Sequence, residues 1–162
     1  MPVIFHEEHK EFHLYNNEVS YIINVLANGH LGHLYYGKAL RDRSSFGYLL
    51  ETSGRPISSW HVADDVTSSL EFVKQEYPCF GTTDFRNPAF EIHQENGSHI
   101  SDFVYKSHKI YAGKPELKGL PHSYVENDKE ATTLEITLKD ELLNISLVLQ
   151  YTIYENAAVI TR

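Results

Sequence analysis

The stretch of this sequence richest in side chains able to do chemistry is Gln75-Glu76-Tyr77-Pro78-Cys79-Phe80-Gly81-Thr82-Thr83-Asp84-Phe85-Arg86-Asn87-Pro88-Ala89. Aromatic rings, an acid, an arginine and turn formers fall within one short span, and Pro78, Gly81 and Pro88 fix its path. Aromatic faces stack on the C–H surfaces of sugars, while Asp and Arg hydrogen-bond hydroxyls. Asp84, Phe85 and Arg86 are therefore candidates for touching a neutral sugar. The plainer reading is that Asp84 and Arg86 form an ion pair within the domain and fasten a loop. Trp60, the single tryptophan, lies in a second irregular stretch, and it reads either as a buried core residue or as a platform for a sugar ring.

Other constellations are weaker. His6-Glu7-Glu8-His9 places its histidines three apart, whereas the zinc-protease pattern needs them four apart on one helical face. His30 and His33 are also three apart, and in a strand they point to opposite faces. There is no Cys-x-x-Cys pair. No metal site and no cofactor are expected. A nucleophile elbow and a glycine-rich phosphate loop are both missing. Glu7, Glu8, Asp128 and Glu130 read as solvated acids. A glycosidase needs two carboxylates at a set separation, and the sequence alone does not pair them. Cys79 is the one cysteine, so no disulfide forms within the chain, and it reads as a small buried hydrophobe.

The elements that must position these groups follow from composition and period. The chain has 162 residues, 41% apolar and 12% aromatic, enough for one domain with a real core. The net charge of −8, with no basic stripe, argues against a nucleic-acid partner. No signal peptide pattern opens the chain and no apolar run is long enough to span a membrane, so a cytoplasmic location and no membrane partner are expected.

The dominant period is two. Thr133-Leu134-Glu135-Ile136-Thr137-Leu138-Lys139-Asp140 alternates polar and apolar, as a strand with one wet face does. After a turn at Asp140-Glu141 the chain resumes at Leu142, with Leu143, Ile145, Leu147, Leu149, Tyr151 and Ile153 on one face. Earlier, Phe12–Tyr15 and Val19–Leu26 flank an Asn16-Asn17 turn. Asn28-Gly29 is a hairpin signal. Glu95-Asn96-Gly97 is a second, set between the expected strands Ala89–His93 and Ile100–Tyr105. Residues 41–69 and 113–130 lack a clean period. No helix of three or more turns is expected, and Asp65–Glu71 makes one short turn at most. The fold class is all-β: an antiparallel β-supersandwich of two packed large sheets with ten or more strands, forming a single domain over residues 1–162. The β-branched run that closes at Arg162 reads as the start of a strand, which points to a piece of a longer protein.

Several motifs, in order along the chain, carry a resemblance. They are Gly32-His33-Leu34-Tyr35-Tyr36-Gly37-Lys38, Gln75-Glu76-Tyr77-Pro78, Gly81-Thr82-Thr83-Asp84-Phe85-Arg86-Asn87-Pro88-Ala89, Gly113-Lys114-Pro115 with Gly119-Leu120-Pro121, Thr132–Asp140, Tyr151-Thr152-Ile153-Tyr154 and Val159–Arg162. Together they resemble the N-terminal domain of glycoside hydrolase family 36, the bacterial and fungal α-galactosidases. The resemblance implies an N-terminal β-supersandwich ahead of a (β/α)₈ catalytic barrel and a C-terminal β-sandwich. It also implies hydrolysis of terminal α-galactosides such as melibiose and raffinose with retention. The catalytic aspartates of the family lie on the barrel, so no catalytic residue is carried over to this chain. Tetrameric members close the galactose pocket with an N-terminal-domain loop from a neighbouring subunit, which makes Trp60, Asp84, Phe85 and Arg86 the candidates here by chemistry and loop position. A free-standing carbohydrate-binding module and a purely structural oligomerisation module are the competing readings.

Overall fold

Alternating residues build two antiparallel sheets in the structure, a computed structural model that describes residues 2–54 and 65–162. Trp60 lies outside the described residues. Sheet one holds β1 (Val3–His6), β2 (Glu11–Tyr15), β3 (Val19–Val25) and β4 (Leu31–Lys38), each paired with its sequence neighbour. Sheet two holds β5 (Val104–Ala112), β6 (Ala131–Asp140), β7 (Ile145–Tyr154) and β8 (Ile160–Thr161), in the same simple order. The all-β expectation holds. The strand count does not, because the described residues form eight strands where ten or more were expected.

One apolar core fills the space between the sheets. Phe12, Leu14 and Ile23 enter it from sheet one, and Leu134, Ile136, Leu138, Tyr151 and Ile153 enter it from sheet two. These are alternate residues of their strands, as period two requires. Each large aliphatic side chain buried there contributes roughly 1.5–3 kcal/mol. Cys79 joins the same core; burial pushes its thiol up, and Sγ donates to the Ser101 carbonyl at 3.1 Å.

Each sheet carries one interruption of register. Ile22 pairs with Tyr35 and Ile23 with His33, leaving Leu34 as an extra residue. Tyr105 pairs with Leu138 and Ser107 with Thr137, which leaves Lys106 likewise. A bulge of this kind bends the strand and re-aims its side chains. Leu34 thereby reaches a second apolar cluster with Ile22 and Phe46, on the face of sheet one away from the main core.

The turns form largely as their chemistry dictates. Asn16 Oδ1 accepts from the Glu18 and Val19 amides at 2.8 and 2.9 Å. Its Nδ2 donates to the Tyr154 and Ala157 carbonyls at 2.8 Å each, so this turn also pins sheet one to the end of sheet two. Gly29 has φ +91° and its amide donates to the Leu26 carbonyl at 2.8 Å, closing the Asn28-Gly29 hairpin.

Two expectations need correction. The chain does not resume as a strand at Leu142. Asp140 accepts from the Leu143 amide at 2.9 Å, Asn144 takes φ +53°, and β7 begins only at Ile145. Leu142 is 93% exposed, and the inward face runs from Leu147 through Leu149 and Tyr151 to Ile153. Residues 89–93 do not join a ladder either. The Gln94 and Gly97 amides close the turn onto Ser98 and Gln94. Beyond it the Ser101 amide goes to Phe80 and the Asp102 amide to Asp140, which draws that arm away.

Candidate functional site

The segment beginning at Gln75 lies along the free edge of β4. His33 donates its amide to the Lys74 carbonyl at 2.8 Å, and Glu76 donates its own to Leu31 at 2.9 Å. Covering the edge satisfies backbone groups that would otherwise be open to another chain. It also sets Glu76 between the sheets, its side chain only 2% exposed.

Glu76 is a hub. Its carboxylate accepts from the Tyr21 hydroxyl at 2.7 Å, the Tyr151 hydroxyl at 2.8 Å, His33 Nδ1 at 3.1 Å and Arg162 Nη1 at 3.3 Å. Tyr21 belongs to β3 and Tyr151 to β7, so one acid ties the two sheets together. Burial first, and then the Glu76 charge, raise both phenols well above their ordinary range. They stay protonated donors. Tyr21, Tyr36, Tyr151, Ile160 and Arg162 line a pocket of about 300 Å³ beside the hub.

Asp84 is the second buried acid of the segment. Its Oδ1 accepts from Arg86 Nε at 2.8 Å and the Arg86 amide at 3.0 Å. Its Oδ2 accepts from Arg86 Nη2 at 2.8 Å and Gln75 Nε2 at 2.7 Å. Burial alone would raise this carboxyl, but the Arg86 side chain and amide and the Gln75 amide outweigh it and hold Asp84 below the usual carboxylate range. Arg86 Nη2 also donates to the Leu70 and Val73 carbonyls, at 2.7 and 2.8 Å. The pair therefore clasps the 70–73 turn to the 81–86 turn. Phe85, between them, is 84% exposed. A second pocket of about 300 Å³ opens beside this segment, lined by His30, Thr82, Thr83 and Asp102 among others, with His30 Nε2 donating to Asp102 at 2.6 Å.

Three clusters lie outside the site residues expected from the sequence. The first looks like a nucleophilic triad: Ser20 Oγ lies 3.0 Å from His13 Nε2, and His13 Nδ1 lies 2.8 Å from Asp42 Oδ1. That is the bond order that activates a serine. Ser20 and His13 are fully buried, however, and Ser20 Oγ accepts the Leu40 amide at 2.9 Å. No substrate carbonyl reaches that oxygen, and the trio holds the 39–50 loop over sheet one. Burial lowers the His13 pKa and keeps the ring neutral, despite Asp42. The second cluster is the Glu76 hub itself, whose partners lie up to 86 residues away in sequence. The third is Glu91, His93 and His99, whose ligand-type atoms lie within 4.8 Å of one another.

Chemically, the two acids of the segment hold the fold together. A retaining glycosidase needs two available carboxylates ~5 Å apart, whereas both buried acids here are committed as acceptors within their own fold.

A family model described as the glycosyl hydrolase family 36 N-terminal domain matches residues 29–162. The α-galactosidase AgaA of Geobacillus stearothermophilus is 45% identical over 163 residues, which is 100% of this chain and 22% of that protein. The crystal structure of the GH36 α-galactosidase AgaB from the same organism has a TM-score of 0.87 at 45% identity, covering 99% of this chain and 21% of that one. An AgaA variant solved in complex with raffinose gives 0.85 at 46% identity, over 93% of this chain and 21% of that one. The chain thus spans about a fifth of the length of the relatives it matches.

Proposed function

The chain belongs to the glycosyl hydrolase family 36 N-terminal domain family, and on that footing we propose that it is the non-catalytic N-terminal domain of an α-galactosidase acting on terminal α-galactosides of the melibiose and raffinose type. The observation that carries the non-catalytic part is the state of Glu76 and Asp84. Their carboxylates are buried and filled with hydrogen bonds from Tyr21, Tyr151, His33, Arg86 and Gln75. A catalytic barrel elsewhere in the longer polypeptide supplies nucleophile and acid/base. That AgaA has been solved with raffinose supports the substrate class.

In this reading residues 1–162 form one domain that braces the barrel, assembles into a homo-oligomer of the tetrameric kind, and contributes a wall of the sugar pocket. Phe85 is the described residue best suited to that wall, because the Asp84–Arg86 clasp holds its backbone while the ring stays free. Trp60 is its companion by residue type. A cytoplasmic location goes with the reading. Among the described residues no helix is long and apolar enough to cross a membrane.

Replacing the matching segment of AgaA by this chain tests the reading. The hybrid is expected to cleave a chromogenic α-galactoside within about tenfold of AgaA, since a brace contributes position and not chemistry. Phe85→Ala in the hybrid is expected to raise KM with little change in kcat, the sign of lost uniform binding. A folded hybrid without turnover would count against the assignment. An unchanged KM would remove Phe85 from the pocket wall.

A further inference from the structure

We infer that the turn spanning residues 91–99 is a binding site for a borderline divalent transition cation of the zinc class, with Glu91, His93 and His99 as its ligands. The turn is closed by the Gln94 amide on the Ser98 carbonyl at 3.0 Å and the Gly97 amide on Gln94 at 2.9 Å. Asn96 Oδ1 accepts the Ser98 amide at 2.9 Å, and Gln94 Nε2 donates to the Ile100 carbonyl at 2.7 Å. With Gln94 opposite Ser98, the next pair outward is His93 and His99, whose side chains emerge on one side. Glu91, two residues before His93, shares that side in an extended segment.

The distances follow. The His93 and His99 ring centroids are 4.1 Å apart. Glu91 Oε2 lies 3.7 Å from His93 Nε2 and 4.0 Å from His99 Nδ1. A tetrahedral zinc ion with bonds near 2.0–2.1 Å sets its ligand atoms ~3.3 Å apart, so a small inward rotation of three side chains completes the triad. Those side chains are free to make it: Glu91 and His93 are 53% and 70% exposed. The turn beneath them is fixed by its own bonds. Two imidazoles and one carboxylate are a donor set that zinc favours, and they leave one coordination position for water or another ligand. Hard cations prefer oxygen-only sites and are not expected to bind. Bound metal would tie the start of the turn to its end and stabilise the chain by mass action. The site shares no residue with the Asp84 clasp or the Glu76 hub, and it does not depend on the proposed function.

Calorimetric titration of the 162-residue chain with zinc chloride in chelator-free buffer is the test. One ion per chain is expected, with no heat from magnesium or calcium. His93→Ala and His99→Ala are each expected to weaken binding by about tenfold or more, and Glu91→Gln by less. His122→Ala serves as the control that changes nothing. The unaltered chain gives an independent readout by NMR: zinc is expected to shift the ring protons of His93 and His99 and leave those of His122 in place. An unchanged affinity in the His93→Ala, His99→Ala double variant would overturn the site. So would zinc shifts confined to other histidines, or no zinc binding by the unaltered chain.

Discussion

The two sheets share one core, yet they manage their outer faces in opposite ways. The outer face of sheet one is buried beneath the 39–50 loop. Glu11, His13 and Ser20 point into that layer, and each is bonded to the loop: Glu11 to the Phe46 amide at 2.6 Å and Ser45 Oγ at 3.0 Å, His13 to Asp42, and Ser20 to the Leu40 amide. The outer face of sheet two is covered only at one end, where Thr133 and Thr152 are buried, and meets solvent around Glu135. Glu135 there bonds Lys109 at 3.3 Å and Gln150 at 3.0 Å, with the lysine side chain 75% exposed. Glu11 and Glu135 are the same residue type on the outer face of a strand. What separates them is whether water can replace a lost partner. Buried polar wiring specifies a covering layer but is costly to break, whereas exposed pairs contribute little.

The hub joining the sheets offers the largest test of that contrast. Glu76→Ala strands one buried phenol, one half-buried phenol and a histidine and is expected to cost roughly 3–5 kcal/mol in equilibrium denaturation. A loss below about 1 kcal/mol would mean the hub is no more than a surface pair. Next, Glu11→Ala leaves the buried Phe46 amide without its acceptor and is expected to cost about 2–3 kcal/mol. Fluorescence or proteolysis should show the 39–50 loop loosening before global unfolding.

Acid should act on the same layer. The folded-state pKa of His13 is below its unfolded value of 6.5, so the unfolded chain takes up the proton first. The stability linked to His13 is present above about pH 6.5 and is lost as pH falls through the lower folded value. Asp42 is depressed too: burial alone would raise it, but hydrogen bonds from His13 and His6 prevail. Its contribution is lost at still lower pH, below about 3.8. A denaturation midpoint falling between pH 7.5 and pH 5, with a smaller fall in His13→Gln, is the expected result. Identical pH profiles for the two proteins would mean that His13 does not set the acid response. At the small end, Glu135→Ala on sheet two should shift stability by only about 0.3 kcal/mol, a shift that added salt reduces.

The same contrast decided what the sequence made legible. β6 has one wet face, so Leu134, Ile136 and Leu138 alternate with Glu135, Thr137 and Lys139, and that strand could be read directly. β2 and β3 are covered on both faces, and residues such as Phe12-His13-Leu14 bury all their side chains. There the pattern blurs, and the strands were located by their turns instead. The Asp84–Arg86 clasp joins residues two apart, so a local reading foresaw it as one of two alternatives. Glu76 was visible in its motif but its role was not, because Tyr21, Tyr151 and Arg162 come to it from distant strands. His93 and His99 escaped notice because only the closed turn between them makes them neighbours. The 89–93 strand does not form for a related reason: the Asn96-Gly97 turn closes, but Asp140 takes the Asp102 amide that a ladder would use.

On the proposed function, the acids of the 75–89 segment build a scaffold and perform no hydrolysis. Turnover of a chromogenic α-galactoside by the purified 162-residue chain tests it most directly. Product formation no faster than in buffer is expected, in a chain that remains folded by circular dichroism. Turnover that disappears in Asp84→Asn or Glu76→Gln while the fold survives would contradict it.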